Sequence, residues 1–441
     1  MTTLPFIYLA EITAYDPATS AEVVLRYSTG RGFVTAAADS PAHTPYEPVI
    51  EQAVEIVRSI FAPGTTQGQS KIGFGDLVLL NPDGELDDLL PYSFDGRSVV
   101  IKRGLASATT LASFTTIFVG TMEQAEFDVA RITIKLRDKQ APLQLPIQPT
   151  TYAGTNVLPA GVEGVVGDLA GKPKPLLFGV VTNIAPPCVN TARLIYQVND
   201  GTITSLDDVY DRGVALTLEG TYASEADVLD DGQEPSAGMY KVYLAGGLFR
   251  LGSSPAGTVT ADVTQGATAA DRTAAALYEA VLLHMGVIAG DILASDLTAL
   301  DAKNSAECGI YIDTETKAAE VLDAIANSVG AWWGVNATGE YRIVRLEKPV
   351  GSAVLSFVAD DLIGPPVRQS TADIERGLPA YKVTVRYARN YTKQTTDVAG
   401  SVTDARRAEL AEEWREATAT DTSVQTVHLL AAALSYDSLF A

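Results

Sequence analysis

The sequence predicts a mainly β chain that carries one small α+β unit. Three observations point there. Residues 4–137 hold short β-branched and aromatic runs separated by turns of Gly, Pro, Asn and Asp. Residues 150–270 repeat that texture with more Gly and Pro. Near Thr268 the composition switches to Ala and Leu at helical spacing.

Residues 4–12 (LPFIYLAEI) and 21–28 (AEVVLRYS) flank Asp16-Pro17 and read as a strand pair. Residues 49–61 admit two readings. Val49, Ile50, Ala53, Val54, Val57, Ile60 and Phe61 fit helical spacing, yet the stretch is rich in β-branched residues and lacks a cap directly before it. Pattern alone does not decide between helix and strand there. Residues 77–80 form a strand, Asn81-Pro82-Asp83-Gly84 a turn, Asp95-Gly96 a second turn, and 98–103 the next strand. Residues 115–121 and 127–137 make another pair. In the second, Ala130, Ile132, Ile134 and Leu136 alternate with Arg131, Thr133, Lys135 and Arg137, which predicts a sheet with one wet face. Residues 1–145 thus read as one antiparallel β-barrel or sandwich, with Pro142, Pro146 and Pro149 at its boundary.

Residues 150–267 read as a β-rich middle domain with strands in LLFGVVTNI, ARLIYQVND, GVALTLEG, YKVYLAG and GTVTADVT. Residues 268–350 read as a small α+β domain. It opens on a helix ending at Gly286, and continues as one β-α-β-β unit: strand GIYI, a helix over 315–329 capped by Asp313 or Thr314, strand AWWGV, a turn at 336–339 and strand EYRIVRL. Ala318, Val321, Leu322, Ile325 and Val329 form its apolar face, and Gly330 ends it. Adjacent Trp332 and Trp333 face opposite sides of their strand. Arginines on both faces of the last strand, Arg342 and Arg345, imply that at least one is paired at a rim. In 351–441, residues 381–390 read as a strand, about 403–419 as a charged helix, and 424–430 as strand-like.

The 441 residues carry 32 Lys and Arg against 54 Asp and Glu, a net charge of −22. Such a chain repels a phosphate backbone, so tight nucleic-acid binding is not expected. Two cysteines, Cys188 and Cys308, and three histidines exclude a disulfide scaffold and argue against a Cys/His zinc site. The N-terminus lacks a basic region followed by a long apolar core, and no apolar run reaches the roughly 18 residues of a membrane span. Without a secretory signal, the sequons at Asn336 and Asn390 carry no expectation of glycosylation.

Each catalytic pattern fails at a named position. In GVVGDLAGKP (164–173) a phosphate loop would need Gly at Val166 and Ser or Thr at Pro173. The acidic turn at 81–88 would need an acidic residue at Leu79 to be a calcium loop of the helix–loop–helix type. Asp207, Asp208, Asp211, Asp230 and Asp231 read as acidic surface loops before they read as paired glycosidase carboxylates. His284, among Leu282, Leu283 and Met285, reads as a core or interface residue. No cofactor, metal or catalytic residue is expected, and the chain is expected not to be an enzyme.

Other stretches carry a resemblance. GDLVLLNPDGELDDLLPYSFDGRSVVIKRG resembles the N-terminal domain of tail-tip proteins of tailed bacteriophages. GDLAGKPKPLLFGVVTNIAPPCVN and YQVNDGTITSLDDVYDRGVAL are similar to their next segment, and AECGIYIDTETKAAEVLDAIANSVGAWWGVNATGEYRIVRL to the small α/β domain of siphophage baseplate hub proteins. The resemblance implies tail-tube-like antiparallel β-barrels, with 49–61 extended and 351–441 supplying strands and a helix of a second, incomplete barrel. It implies a structural hub: a trimeric ring below the tail tube, in the virion, assembled in the host cytoplasm. The implied partners are further copies of the chain, a distal tail or tube protein, a tape measure protein, and tail fibre or tip proteins. The alternatives are a hexameric distal tail or tube-type protein, or a tail-associated glycan-active enzyme. Asp87 and Asp88, beside Leu86, Leu89 and Leu90, are the candidate subunit contact, set against the simpler reading that the leucines return to the barrel core. The apolar end HLLAAALSYDSLFA is expected to be covered by a neighbour or by further chain.

Overall fold

The computed structural model describes residues 6–52, 68–69, 73–347, 350–353, 355–362, 364 and 379–441. The chain is mainly β, as the strand-forming runs require. Among the described residues eleven strands precede residue 138: β1 (Phe6–Asp16), β2 (Ala21–Ser28), β3 (Phe33–Val34), β4 (Pro45–Tyr46), β5 (Ile50–Gln52), β6 (Gly68–Gln69), β7 (Phe74–Leu80), β8 (Ser98–Leu105), β9 (Thr115–Met122), β10 (Glu126–Phe127) and β11 (Arg131–Arg137). Eight of them form one antiparallel sheet, ordered β2-β1-β8-β9-β11-β7-β5 with β10 on β11. Alternation fixes which face is dry: Ile132, Ile134 and Leu136 are buried and their neighbours are not. Residues 47–49 hydrogen-bond to both sheet ends, Ser28 N to Glu47 O at 2.7 Å and Leu80 N to Val49 O at 2.7 Å. The sheet thereby curls around one core of Ala10, Ile12, Leu77, Val99, Phe118 and Ile134. Ile50–Gln52 is extended; residues 53–61 lie outside the described residues.

The middle region is a sandwich of β12 (Leu176–Ile184), β13 (Cys188–Asn190), β14 (Ile195–Gln197), β15 (Ser205–Asp211), β16 (Val214–Ala215), β17 (Thr217–Thr221), β18 (Met239–Tyr243), β19 (Leu248–Leu251) and β20 (Val259–Thr264), with the short α1 (Glu225–Val228). One sheet runs β13-β14-β19-β18-β17; the other contains β16-β15-β20-β12. Their inner faces share Val181, Ile184, Val209, Tyr240, Phe249 and Ala261. Residues 141–149 are no free linker, since Leu143 and Ile147 are buried with the α+β unit.

That unit contains α2 (Ala274–His284), α3 (Ala294–Asp301), β21 (Gly309–Ile312), α4 (Ala318–Ser328), β22 (Ala331–Val335) and β23 (Tyr341–Arg345). The single β-α-β-β sheet expected here does not form. β21 pairs antiparallel with β12 and completes the sandwich sheet, whereas the β22–β23 hairpin takes β6 as its third strand, parallel to β22. The helix face is as expected, with Ala318, Val321, Leu322, Ile325 and Val329 buried against Trp333 and Ile343. It starts at Ala318 rather than 315, because residues 314–318 are hydrogen-bonded to residues 145–148. Gln148 Nε2 donates to Thr314 O at 2.8 Å, Ile147 N to Thr316 O at 2.8 Å, and Ala318 N to Leu145 O at 3.1 Å. Gly330 (φ 64°) then terminates it.

The last part holds β24 (Lys382–Tyr387), α5 (Asp404–Ala411), β25 (Arg415–Thr420), α6 (Thr422–Val427) and β26 (Ala433–Asp437), with the sheet ordered β25-β24-β26. Two expectations are corrected. The charged helix stops at Ala411, and 415–420 is a strand in register with β24, Lys382 opposite Thr420. Residues 424–427 are helical, because the Asp421 carboxylate accepts from Ser423 N at 2.9 Å and caps the turn. Only the last residues of the apolar end are covered by the chain itself: Gly309 N donates to Leu439 O at 2.8 Å, and Leu439 and Phe440 pack on the α+β core, while Leu429, Leu430 and Leu434 stay exposed.

Candidate interaction surfaces

The turn at 81–90 is built from its own polar atoms. Gly84 takes a positive φ of 76°; the Asn81 amide donates to the Asp87 carboxylate at 2.7 Å, and Asn81 Oδ1 accepts from Leu86 N at 2.9 Å. This frame sends Leu86 and Leu89 into the core of the first sheet and leaves Leu90, 64% exposed, on the surface. Asp87 and Asp88 sit on a single 3-10 turn, Asp87–Leu89, and both are exposed. The leucines therefore divide, two to the core and one beside the exposed carboxylates.

The second surface is the C-terminal sheet. All six residues of β25 are exposed, and all six of β24 are only partly covered. Val427, Leu429, Leu430 and Leu434 are exposed beside it, Leu429 at 88%. The sheet is held to the body at one end. Asn183 Nδ2 donates to Asn390 Oδ1 and Thr392 O, both at 2.7 Å, and Arg212 pairs with Asp397 at 2.8 Å. Beneath this joint Asp262 accepts from Asn183 N at 2.6 Å and from Tyr210 Oη at 2.9 Å; burial pushes its carboxyl upward.

Between this sheet and the body lies a cleft of about 940 Å³. Its floor is the end of β21 with Asp313 and the C-terminal turn of α4 with Asn327; its wall is Arg386, Arg389, Tyr391 and Trp414. The Arg389 guanidinium lies 4.8 Å from the Tyr391 ring and 5.3 Å from the Trp414 ring, with Arg386 5.9 Å from Trp414. Arg389 pairs with Glu413 at 3.2 Å, and Arg386 pairs with Asp437. Tyr391 Oη accepts from Tyr311 N at 3.0 Å, and burial pushes the Tyr391 phenol upward. Sequence reading missed this site. Its residues come from segments far apart in the chain, and Trp414 stood inside a stretch read as helix.

Of the acidic residues weighed as carboxylate pairs, Asp208 is exposed and the other four each have a structural partner. Asp211 accepts from Ala256 N and Gly257 N, Asp207 from Thr264, Asp230 caps a turn at Gly232, and Asp231 pairs with Arg193 at 2.9 Å. Residues 164–173 fold as a loop over the sandwich, with Leu169 buried and Lys174 held by Glu163 at 2.6 Å. His284 bonds Ile147 O at 2.9 Å and meets Phe178 edge-on. Cys308 is buried and its thiol is pushed up to about 12 by that burial. Among the described residues no cluster of three His, Cys, Asp or Glu side chains stands close enough to hold a metal ion, and no helix is long and apolar enough to cross a membrane.

No family model matches the chain, and no curated protein does. Among solved structures, the chain is similar to the 43 kDa tail protein of prophage MuSo2 from Shewanella oneidensis, at 13% identity over 90% of this chain and 71% of that one, with a TM-score of 0.32. It is also similar to a chain in the virion of a native gene transfer agent particle, at 12% identity over 60% of this chain and 81% of that one, with a TM-score of 0.26.

Proposed function

We propose that this chain is a structural subunit of a phage tail tip, a baseplate hub that closes into a threefold ring below the tail tube. The observation that carries the proposal is the C-terminal sheet, whose outer strand β25 is wholly exposed within a single chain. A three-stranded sheet gains little stability without a covered face, and open strand edges invite pairing. Ring closure supplies both covers at once. The barrel-like sheet of residues 1–145 and the residues 75–104 that resemble tail-tip proteins support the same reading.

In that ring, residues 1–145 and 351–441 face the tube as paired tube-like units, and 268–350 docks outside. The exposed Asp87 and Asp88, with Leu90, meet a basic side chain of a neighbouring subunit. A distal tail or tube protein lies above, a tape measure protein ends at the ring, and fibre or tip proteins hang below. The net charge of −22 lets DNA pass without sticking. The role requires neither cofactor nor active site. Chemical cross-linking of purified tails tests the contact: cross-links from Asp87 or Asp88 to a lysine of another copy support it. Exposure of both carboxylates to labelling in the assembled particle rules that contact out.

A further inference from the structure

We propose that the cleft between β21, the end of α4 and the C-terminal sheet binds an uncharged oligosaccharide. The cleft is complete within one chain, so this inference does not depend on the ring. Its volume of about 940 Å³ falls in the range of small-molecule sites, ~300–1,000 Å³.

The lining decides the ligand class. Two arginines, Arg386 and Arg389, face two lining carboxylates, Asp313 and Asp437, so the charges of the wall cancel. An anion would have to displace Asp437 from Arg386 or Glu413 from Arg389, and a cation would meet the guanidiniums. An apolar ligand would strip water from both ion pairs with nothing to replace it. A sugar ring avoids all three penalties. Its hydroxyls can both donate and accept, which suits the Asn327 amide, the Asp313 carboxylate and the two guanidiniums. Its C–H face suits the aromatic rings of Trp414 and Tyr436, which line the same space.

The wall is also fixed before any ligand arrives. Arg389 is held between Tyr391 and Trp414, and the Tyr391 hydroxyl is tied to the main chain of β21. Little side-chain ordering remains to oppose binding. Two sources share this chemistry: a hexose polymer, and the N-acetylated amino-sugar backbone of a cell wall.

Titration of the full chain with maltohexaose, cellohexaose and N-acetylated chitohexaose, followed by tryptophan fluorescence, tests the proposal and separates the sources; trigalacturonate serves as the charged control. One uncharged hexasaccharide should saturate, with a spectral change that disappears in Trp414→Phe. Asn327→Ala and Asp313→Ala should each weaken it about tenfold, with the melting temperature unchanged. Three results would overturn the assignment: no uncharged sugar binding to a cooperatively folded chain, tighter binding of the charged control, or unaltered affinity in both alanine variants.

Discussion

The indole Nε1 of Trp333 donates to the carboxylate of Asp323 at 2.6 Å, and both side chains are buried. The bond crosses from β22 to α4 and ties helix to sheet. Trp333→Phe keeps an aromatic ring but removes the donor from a buried charged acceptor. A loss of about 1.5–3 kcal/mol in urea unfolding is expected, on top of the smaller ring's lost contacts. A loss below 0.5 kcal/mol on the same scale would mean that the bond contributes little.

Arg342 and Asp296 give the contrast. They form a bidentate pair at 2.7 and 3.0 Å, but the arginine side chain is about one-third exposed. Asp296→Ala should cost no more than about 1 kcal/mol, and less in high salt. Equal losses for Asp296→Ala and Trp333→Phe would contradict the ranking.

Leu322 is fully buried on α4. Leu322→Asp places an unpaired charge in the core and should unfold the α+β unit, read as loss of helical circular dichroism and of assembly into particles. A variant that assembles like the parent would show that the helix does not face this core.

Gly309 splices the α+β unit to the sandwich. A Cβ built there would stand 1.7 Å from Val180 O, within the β12–β21 pair. Gly309→Ala should cost more than about 2 kcal/mol, while Gly290→Ala, with open space around it, should be near neutral. Paired thermal melts check the difference.

Much of this was legible in the sequence, and the limits are physical. β11 alternates strictly, so its faces could be read directly. The face of α4 was equally clear. Pattern records that Gly309–Ile312 is a strand but not which strand it pairs with, so its membership in the sandwich sheet was invisible. α6 was misread because its apolar residues fit either period, while the cap at Asp421 decided the outcome. The cleft around Trp414 needs three distant segments to meet, which no local spacing encodes. Asp87 and Asp88, read from the sequence as a candidate subunit contact, are exposed in the chain, but their frame, the Asn81 side chain bonded at both ends, was not foreseen.

Acid stability offers a separate check on the N-terminal sheet. Burial alone would raise the Glu11 carboxyl, but the Lys102 ammonium at 2.7 Å and the Tyr46 hydroxyl at 2.5 Å outweigh it and hold it below the ordinary Glu value of 4.5. A depressed folded-state value stabilises the fold above the unfolded-state value, and that stability is lost as pH falls through the folded one. Glu11→Gln should therefore be less stable than the parent near pH 7, with the gap closing below about pH 4.5. A gap that stays constant down to about pH 3 would show that Glu11 is not the titrating group.

The most direct test of the proposed ring is a cryo-EM reconstruction of the particle that carries this chain. Three copies below the tail tube are expected, with β25 of each C-terminal sheet buried against a neighbouring chain. A sixfold ring, a lone copy, or a β25 that stays exposed in the assembled particle would contradict it.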